Sequence, residues 1–82
     1  MNMRVRYVGT SFGIDGLTDQ NEYEVIAYES DVGGLRIIDD SGEDYLYSPK
    51  HPKPLAAQNH PGGHFEIVED DENNTLHKAI YG

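Results

Sequence analysis

A run of carboxylates in the middle of this sequence is of a type that can do chemistry: Asp39, Asp40, Glu43 and Asp44. Paired carboxylates can hold calcium or act as acid and base in hydrolysis. Their order, D-D-S-G-E-D, differs from the calcium-loop pattern D-x-[DN]-x-[DN]-G. We therefore expect Asp39 or Asp40 to accept backbone N–H bonds within a turn.

Three histidines, His51, His60 and His64, form the second group with chemical potential. Imidazole binds zinc and nickel, so a three-histidine site is the alternative to consider. The spacing H-x3-H suits a helix, but Pro61 and two glycines exclude a helix between His60 and His64. We expect exposed polar side chains there, and we predict no metal and no cofactor.

Catalytic groups are harder to assemble from this chain. It has no cysteine, which removes thiol nucleophiles and thiolate metal sites. Ser11, Ser41 and Ser48 lack the sequence context of a nucleophile elbow. The glycine-rich stretch G-T-S-F-G-I-D-G matches neither of the common phosphate-binding patterns. The sequence therefore predicts no catalytic residue and no enzymatic activity.

Aromatic side chains supply a different kind of candidate, a surface that binds another protein. Small sheets also need aromatic residues for core and cross-strand packing, so packing remains the alternative. Tyr45 and Tyr47 must share one face of their strand, and Leu46 must point to the other. The candidate interaction surface combines aromatic and acidic side chains: Phe12, Tyr28, Tyr45, Tyr47, Asp40, Glu43 and Asp44.

The element that would position most of these residues is a hairpin over residues 35–47, LRIIDDSGEDYLY. Two runs of strand-forming residues, LRII and DYLY, flank a polar bend that contains a glycine, which is typical of a β-hairpin. Two alternating segments, RVRYV at 4–8 and EYEVIAYE at 22–29, predict further strands. HFEIVE at 64–69 predicts the last strand.

Alternation also predicts which residues are buried. Val5 and Tyr7 share one face of the first strand, and Tyr23, Val25 and Ala27 share one face of the second. In the second strand, Glu22, Glu24, Ile26 and Tyr28 are expected on the other face. We expect Val25, Ile37 and Ile67 to be nearly fully buried.

The loops complete the architecture. GTSFGIDGLTDQN reads as a long loop anchored by Phe12, Ile14 and Leu17, and all four prolines lie in the irregular segment after Tyr47. The fold class predicted is all-β, a small five-stranded barrel that is closed or nearly closed, because closure removes free strand edges. We assign residues 1–70 to this single domain. Residues 71–82 read as an acidic tail, partly ordered at best, with a short helical turn at TLHKAIYG capped by Asn74 or Thr75.

Charge is the strongest global feature of the 82 residues. Fifteen Asp and Glu against six Lys and Arg give a formal net charge of −9. Phosphate-backbone binding needs clustered Lys and Arg, so we expect no direct contact with nucleic acid. The acidity either keeps the chain in solution, or attracts a basic partner, or imitates a phosphate backbone.

The sequence also bears on location. No apolar stretch follows the start MNMRVRYVGT, and no run approaches the roughly 20 apolar residues that span a bilayer. The absence of cysteine fits a reducing compartment. These features predict a cytoplasmic domain without a membrane partner.

Several short motifs resemble a known group of proteins: Y-V-G-T near the start, G-L-T followed by Y-E-V, the hairpin I-x-D-D-S-G-E-D-Y-L-Y, and F-E-I-V-E. The order is similar to that of short, mostly uncharacterised proteins from Gram-positive bacteria and their phages, which are thought to adopt an SH3-like barrel. The resemblance covers residues 4–69 and implies that fold. It carries over no catalytic residue, and the chain lacks the tryptophan of the peptide groove in SH3 domains.

Two functions follow as expectations. The first is a non-catalytic interaction module that binds another protein, of unknown identity, through an acidic or aromatic surface. The alternative is an acidic, phage-type inhibitor or nucleic-acid mimic that acts on a basic protein. A small-ligand or metal-dependent enzyme is the third possibility, and a deep pocket with converging polar groups would favour it.

Overall fold

The chain folds into five strands and one short helix. The computed structural model describes residues 3–12, 16–54 and 59–82. The elements are β1 (Met3–Gly9), β2 (Glu22–Glu29), β3 (Gly34–Ile38), β4 (Asp44–Tyr47), β5 (Gly63–Glu69) and α1 (Thr75–Tyr81). The predicted five strands and terminal helix are confirmed, and each strand starts and ends within a residue of its predicted position.

All five strands form a single antiparallel sheet in the order β4-β3-β2-β1-β5. The expected closure is wrong: among the described residues β4 and β5 do not pair, so the sheet is open and these strands are its two edges. Helix α1 packs on β2 and β5 and adds the buried side chains of Leu76 and Ala79 to the core. A helix can therefore cover apolar surface that a closed barrel would cover with its own strands.

The core lies on the face of the sheet that alternation predicts. On β1, Val5 and Tyr7 are fully buried while Arg4 and Arg6 face outward. Val25 and Ile37 are cross-strand partners, and both are buried as expected. The core cluster contains Val5, Tyr7, Phe12, Leu17, Tyr23, Val25, Leu35, Ile37, Phe65, Leu76 and Ala79.

Ile67 departs from the expected burial. It pairs with the buried Val5, yet its own side chain is only partly buried. Since β5 is an edge strand, no further strand covers its outer side. The expectation of nearly complete burial is therefore wrong for Ile67.

A bulge in β2 changes the predicted alternation. The register with β3 shifts between Val25 and Ala27, so that Ala27 lies opposite Arg36 and Tyr28 lies opposite Leu35. A bulge inserts one unpaired residue and reverses the faces of the residues that follow it. The assignment of Ala27 to the face of Val25, and of Tyr28 to the opposite face, is therefore wrong.

The long loop between β1 and β2 is anchored as predicted by Phe12 and Leu17, which form an isolated bridge and are both buried. A Cβ atom at Gly16 would overlap the Phe12 carbonyl oxygen, so this close approach requires glycine. Gly13 and Ile14, the other expected glycine and anchor, lie outside the described residues.

The first N–H groups of helix α1 are bonded by side chains that precede the N-cap residue by three or four positions. The N-cap Asn74 makes no side-chain cap bond. Instead, Asp70 accepts the N–H groups of Leu76 (2.9 Å) and His77 (3.0 Å), and Asp71 accepts the N–H (2.9 Å) and the hydroxyl of Thr75. Asn74 is therefore the N-cap residue, as predicted, but the side chains that bond the first N–H groups of the helix are those of Asp70 and Asp71. No helix in the described part of the chain is long and apolar enough to cross a membrane.

The core assignment predicts a large effect of truncating Ile37. Ile37→Ala should lower the free energy of unfolding by about 2–5 kcal/mol, because it removes buried methyl groups and leaves a cavity. Ile26, with 48% of its surface exposed, gives a matched control. Ile26→Ala should change stability by about 0.5 kcal/mol or less. Urea unfolding of both variants measures the difference, and equal losses would contradict the hairpin register.

The cap assignment predicts a pH-dependent effect of Asp71. Bonds from the Thr75 hydroxyl and N–H hold the pKa of Asp71 below its ordinary value of 3.8. A lowered pKa in the folded state adds stability above the ordinary pKa, and this stability is lost as pH falls through the folded value. Asp71→Ala should therefore lower the melting temperature at pH 7, and the deficit should shrink as the pH falls below about 4.

Glu72→Ala is the control for this effect, because Glu72 is exposed and makes no side-chain hydrogen bond within the described residues. Thermal melts followed by circular dichroism over this pH range separate the two variants. A Glu72→Ala deficit equal to that of Asp71→Ala would point to general charge effects instead of the cap.

Candidate functional site

The hairpin tip is built around the buried carboxylate of Asp39, which is only 6% exposed. One of its oxygens, Oδ1, accepts the backbone N–H of Ser41 at 3.0 Å and the Ser41 hydroxyl. Gly42 follows with a positive φ of 83° and closes the turn. The expectation that a carboxylate at this tip accepts backbone bonds is confirmed for Asp39.

The second oxygen of Asp39 holds a tyrosine of β4. The Tyr47 hydroxyl donates to Asp39 Oδ2 at 2.7 Å. Burial, and then the adjacent Asp39 carboxylate, raise the pKa of Tyr47 far above its ordinary value of 10.0. Tyr47 therefore stays protonated and acts as a donor that fixes the end of β4 to the turn.

Asp40, the next residue, binds the loop between β1 and β2. The Tyr23 hydroxyl donates to Asp40 Oδ1 at 2.8 Å, and the Thr18 hydroxyl donates to Oδ2 at 2.7 Å. The Asp40 N–H donates to the Gly16 carbonyl oxygen at 3.0 Å. Both carboxylate oxygens of Asp40 are thus engaged within the fold, and burial raises the pKa of Tyr23.

The structure separates the aromatic residues that the sequence groups together. The ring of Phe12 is buried and lies 5.7 Å from that of Tyr7, 6.2 Å from that of Tyr47 and 5.2 Å from that of His60. Phe12 therefore belongs to the core, and Tyr47 packs partly buried against it. Tyr28 is exposed at the far end of β2, opposite Leu35.

A smaller set of candidate residues remains together on the edge strand. We define the β4 surface as Glu43, Asp44, Tyr45 and Leu46. Tyr45 is 50% exposed and Leu46 is 40% exposed, and they lie on opposite faces of the strand. Leu46 lies with its partner Arg36 on the outward face, and Tyr45 lies with its partner Ile37 on the other face, at the edge of the sheet.

Leu46 is the residue of this surface that was not among the candidates predicted from the sequence. The alternation of D-Y-L-Y already places it opposite to the tyrosines, and its position on the last strand of the meander β2-β3-β4 is the signal that could identify it. Leu46 pairs with Arg36 on the solvated face of the sheet, whereas Tyr45 pairs with the buried Ile37 on the face that carries the core.

The acidic side chains of the β4 surface are positioned by local bonds. Arg36 on β3 donates to Asp44 at 2.9 Å and to Glu29 at 3.2 Å. The Arg36 bond is the main reason that the pKa of Asp44 is lowered. The Tyr45 hydroxyl donates to Glu43 at 3.3 Å.

A similar pattern of charge occurs on the outward face of β1. Arg6 lies between Glu22 of β2 at 2.8 Å and Glu66 of β5 at 3.7 Å. Arg4 likewise has Glu24 and Glu69 as its cross-strand partners. Carboxylates and guanidinium groups therefore alternate across the sheet instead of forming a continuous acidic stripe.

The histidines are dispersed. His60 accepts the Gly62 N–H at its Nδ1 atom (2.8 Å), and its Nε2 lies 3.4 Å from the Ser11 carbonyl oxygen. His64 lies on β5 opposite Val8, and His51 is exposed. In residues 3–12, 16–54 and 59–82, no three histidine or acidic side chains converge as metal ligands, and no pocket is found.

Comparisons of the chain with protein-family models, with curated proteins and with solved structures find no match.

The bond between Tyr47 and Asp39 predicts a specific loss. Tyr47→Phe removes the hydroxyl and leaves a buried carboxylate oxygen without its donor, which costs about 1–3 kcal/mol of unfolding free energy. Tyr28→Phe is the matched control, because no hydrogen bond of the Tyr28 hydroxyl is found in the described structure and its side chain is exposed. Urea unfolding at pH 7 should show little change for Tyr28→Phe.

The raised pKa of Tyr47 gives a second measurement on the same variants. A folded pKa above the unfolded value means that the stability from Tyr47 is complete below about pH 10 and is lost as pH rises further. The wild-type chain should therefore lose stability above pH 10 more steeply than Tyr47→Phe. Equal alkaline slopes would contradict the role assigned to the hydroxyl.

Proposed function

We propose that this chain is a non-catalytic protein-interaction module that binds a cationic segment of another protein through the β4 surface. The observation that carries the proposal is the exposure of Tyr45 and Leu46 on both faces of one edge strand. Exposed apolar side chains with a polar rim are typical of sites that bind other proteins.

The chemistry of the partner follows from charge. The chain has a formal net charge of −9, and Glu43 and Asp44 lie directly beside the exposed Tyr45 and Leu46. An acidic rim favours a partner with Lys or Arg next to apolar residues, and it repels acidic partners. We place the interaction in the cytoplasm and expect no direct binding to nucleic acid, because Arg6 and Arg36 are already engaged by carboxylates.

The alternation of charge across the sheet favours this proposal over nucleic-acid mimicry. A mimic of a phosphate backbone needs acidic groups in a continuous row. Here Arg6 separates Glu22 from Glu66, and Arg36 separates Glu29 from Asp44. A sheet face on which carboxylates and guanidinium groups alternate therefore favours a small binding surface on β4 over an extended acidic surface.

We also propose that the fold is SH3-like. The antiparallel order β4-β3-β2-β1-β5, with a β2-β3-β4 meander, supports this assignment, as does the long loop after β1. The resemblance to short proteins of Gram-positive bacteria and phages belongs to the same proposal. A strand edge would then serve for binding in place of the tryptophan-lined groove that this chain lacks.

The proposal predicts what phage display of short random peptides on the full chain will select. Enriched peptides should combine Lys or Arg with apolar residues. Tyr45→Lys and Leu46→Lys should each weaken binding of the strongest synthetic peptide by about tenfold or more, measured by calorimetry, because an apolar contact is replaced by a like charge.

Val68→Lys is the matched control, because Val68 is 41% exposed and lies on the opposite edge strand β5. It adds the same charge and should change affinity by about twofold or less. Thermal melts confirm that all three variants fold. Failure to enrich any peptide, enrichment of acidic peptides, or equal losses in all three variants would overturn the proposal.

A further inference from the structure

The hydrogen bonds of the hairpin show which main-chain groups of β4 face outward. The Asp39 N–H donates to the Glu43 carbonyl oxygen at 3.2 Å, so these residues form the first bonded pair. Bonded pairs alternate with pairs that exchange no bonds in an antiparallel ladder. Since Ile37 pairs with Tyr45, this pair is the next bonded one. The N–H and C=O groups of Leu46 therefore point away from β3.

This outward side is open. Among the described residues no backbone hydrogen bond outside the ladders reaches Leu46, and no strand follows β4 in the sheet. The Asp44 carbonyl group points the same way, because it lies two residues from Leu46. The edge thus presents a short row of main-chain donors and acceptors.

The side chains of the same strand point to a ligand that runs alongside it. Tyr45 and Leu46 lie on opposite faces of β4. A helix or loop resting on one face of the sheet can contact only one of them. An extended segment next to the edge can contact both at once, with its own alternate side chains above and below the sheet.

We infer that the cationic segment binds as an added strand next to β4, with its main chain bonded to Leu46. This inference rests on the proposed function and specifies its mode of binding. The added strand would place apolar side chains against Tyr45 and Leu46, and Lys or Arg side chains near Glu43 and Asp44.

Charge selects a foreign segment over a second copy of this chain. Two copies paired through β4 would bring together two molecules of formal net charge −9, with the acidic side chains Glu43 and Asp44 on both sides of the contact. Like charges at an interface oppose association, whereas a cationic strand is attracted.

The other edge strand, β5, is the competing location. The main-chain groups of Tyr7 point away from β5: its N–H donates to the Asn21 carbonyl oxygen at 3.0 Å, and its carbonyl oxygen accepts the Gln20 N–H at 2.7 Å. Phe65 is the partner of Tyr7 on β5, so the N–H and C=O groups of Phe65 point outward from the sheet. However, the side chain of Phe65 is buried in the core, and that of Ile67 is half-buried against it. A strand added to β5 would meet exposed apolar surface on one face only, at Val68.

Amide hydrogen exchange of the full chain tests the location directly. The probe is the strongest peptide from the phage selection, added to saturation and followed by NMR. Exchange at the Leu46 amide should slow by about tenfold or more, because its N–H gains a partner. The amides of Phe65 and Ile67 should be unchanged. Protection at Phe65 and Ile67 with none at Leu46 would overturn the assignment to β4.

The mode of binding is tested on the peptide. Single N-methyl groups placed along it remove one donor at a time. Methylation at alternate positions should weaken binding by about tenfold, and methylation at the positions between them should have little effect, since only every second residue of the added strand faces β4.

The outcomes separate this inference from the proposed function. Loss of binding in Leu46→Lys without Leu46 protection or alternation in the methyl scan would overturn strand addition and leave the interaction module standing. Failure to select any peptide would overturn both. Sedimentation of the free chain as a dimer that the peptide dissociates would show that a second copy occupies the edge, and would overturn the foreign-segment assignment.

Discussion

Two adjacent carboxylates at the hairpin tip, Asp39 and Asp40, hold the sheet and its covering loop together. Asp39 accepts from Tyr47 at the end of β4, and Asp40 accepts from Tyr23 on β2 and Thr18 in the loop. Tyr23 and Tyr47 both lie on the core side of the sheet, so the two carboxylates of one turn join β2, β4 and the loop. The bonds exist only while the hairpin keeps its register, since a shift by one residue would exchange the two carboxylates. The placement of β4, and hence of its exposed edge, depends on this arrangement.

The sequence predicts the strands well because each is short, alternating and bounded by turn residues, as RVRYV and EYEVIAYE show. It also predicts that Val25 and Ile37 are buried. It does not predict the bulge after Val25, because the bulge depends on pairing with β3 and has no local signal. The sequence does not predict the capping of α1 by Asp70 either, because this bond also has no local signal. Its partner Leu76 lies six residues away, beyond the range of the usual cap motifs.

The candidate surface was predicted in part. Tyr45, Glu43 and Asp44 stay together because they are neighbours in sequence. Phe12 does not join them, since its place in the core is decided by the fold of a loop without periodicity. Whether an aromatic residue is core or surface depends on which strands are edges, and strand order is a long-range property. Leu46 is exposed because it pairs with the outward-facing Arg36, and alternation within D-Y-L-Y does not by itself show which face of β4 is the outward one.

Both edge strands of the open sheet, β4 and β5, could pair with other chains, but they differ in how far their side chains oppose this. Open edges invite unwanted pairing, and natural sheets limit this with short strands and charged side chains. β5 has seven residues, with Glu66 and Glu69 on it, and its apolar side faces the core. β4 has four residues, and its two exposed apolar side chains lie beside Glu43 and Asp44. A strand this short offers too few main-chain bonds to hold an arbitrary segment, so the proposed binding would require the side-chain and charge contacts as well. In the proposed binding mode, these requirements make the β4 edge selective, since Glu43 and Asp44 would attract a cationic strand and repel acidic chains, including copies of this one.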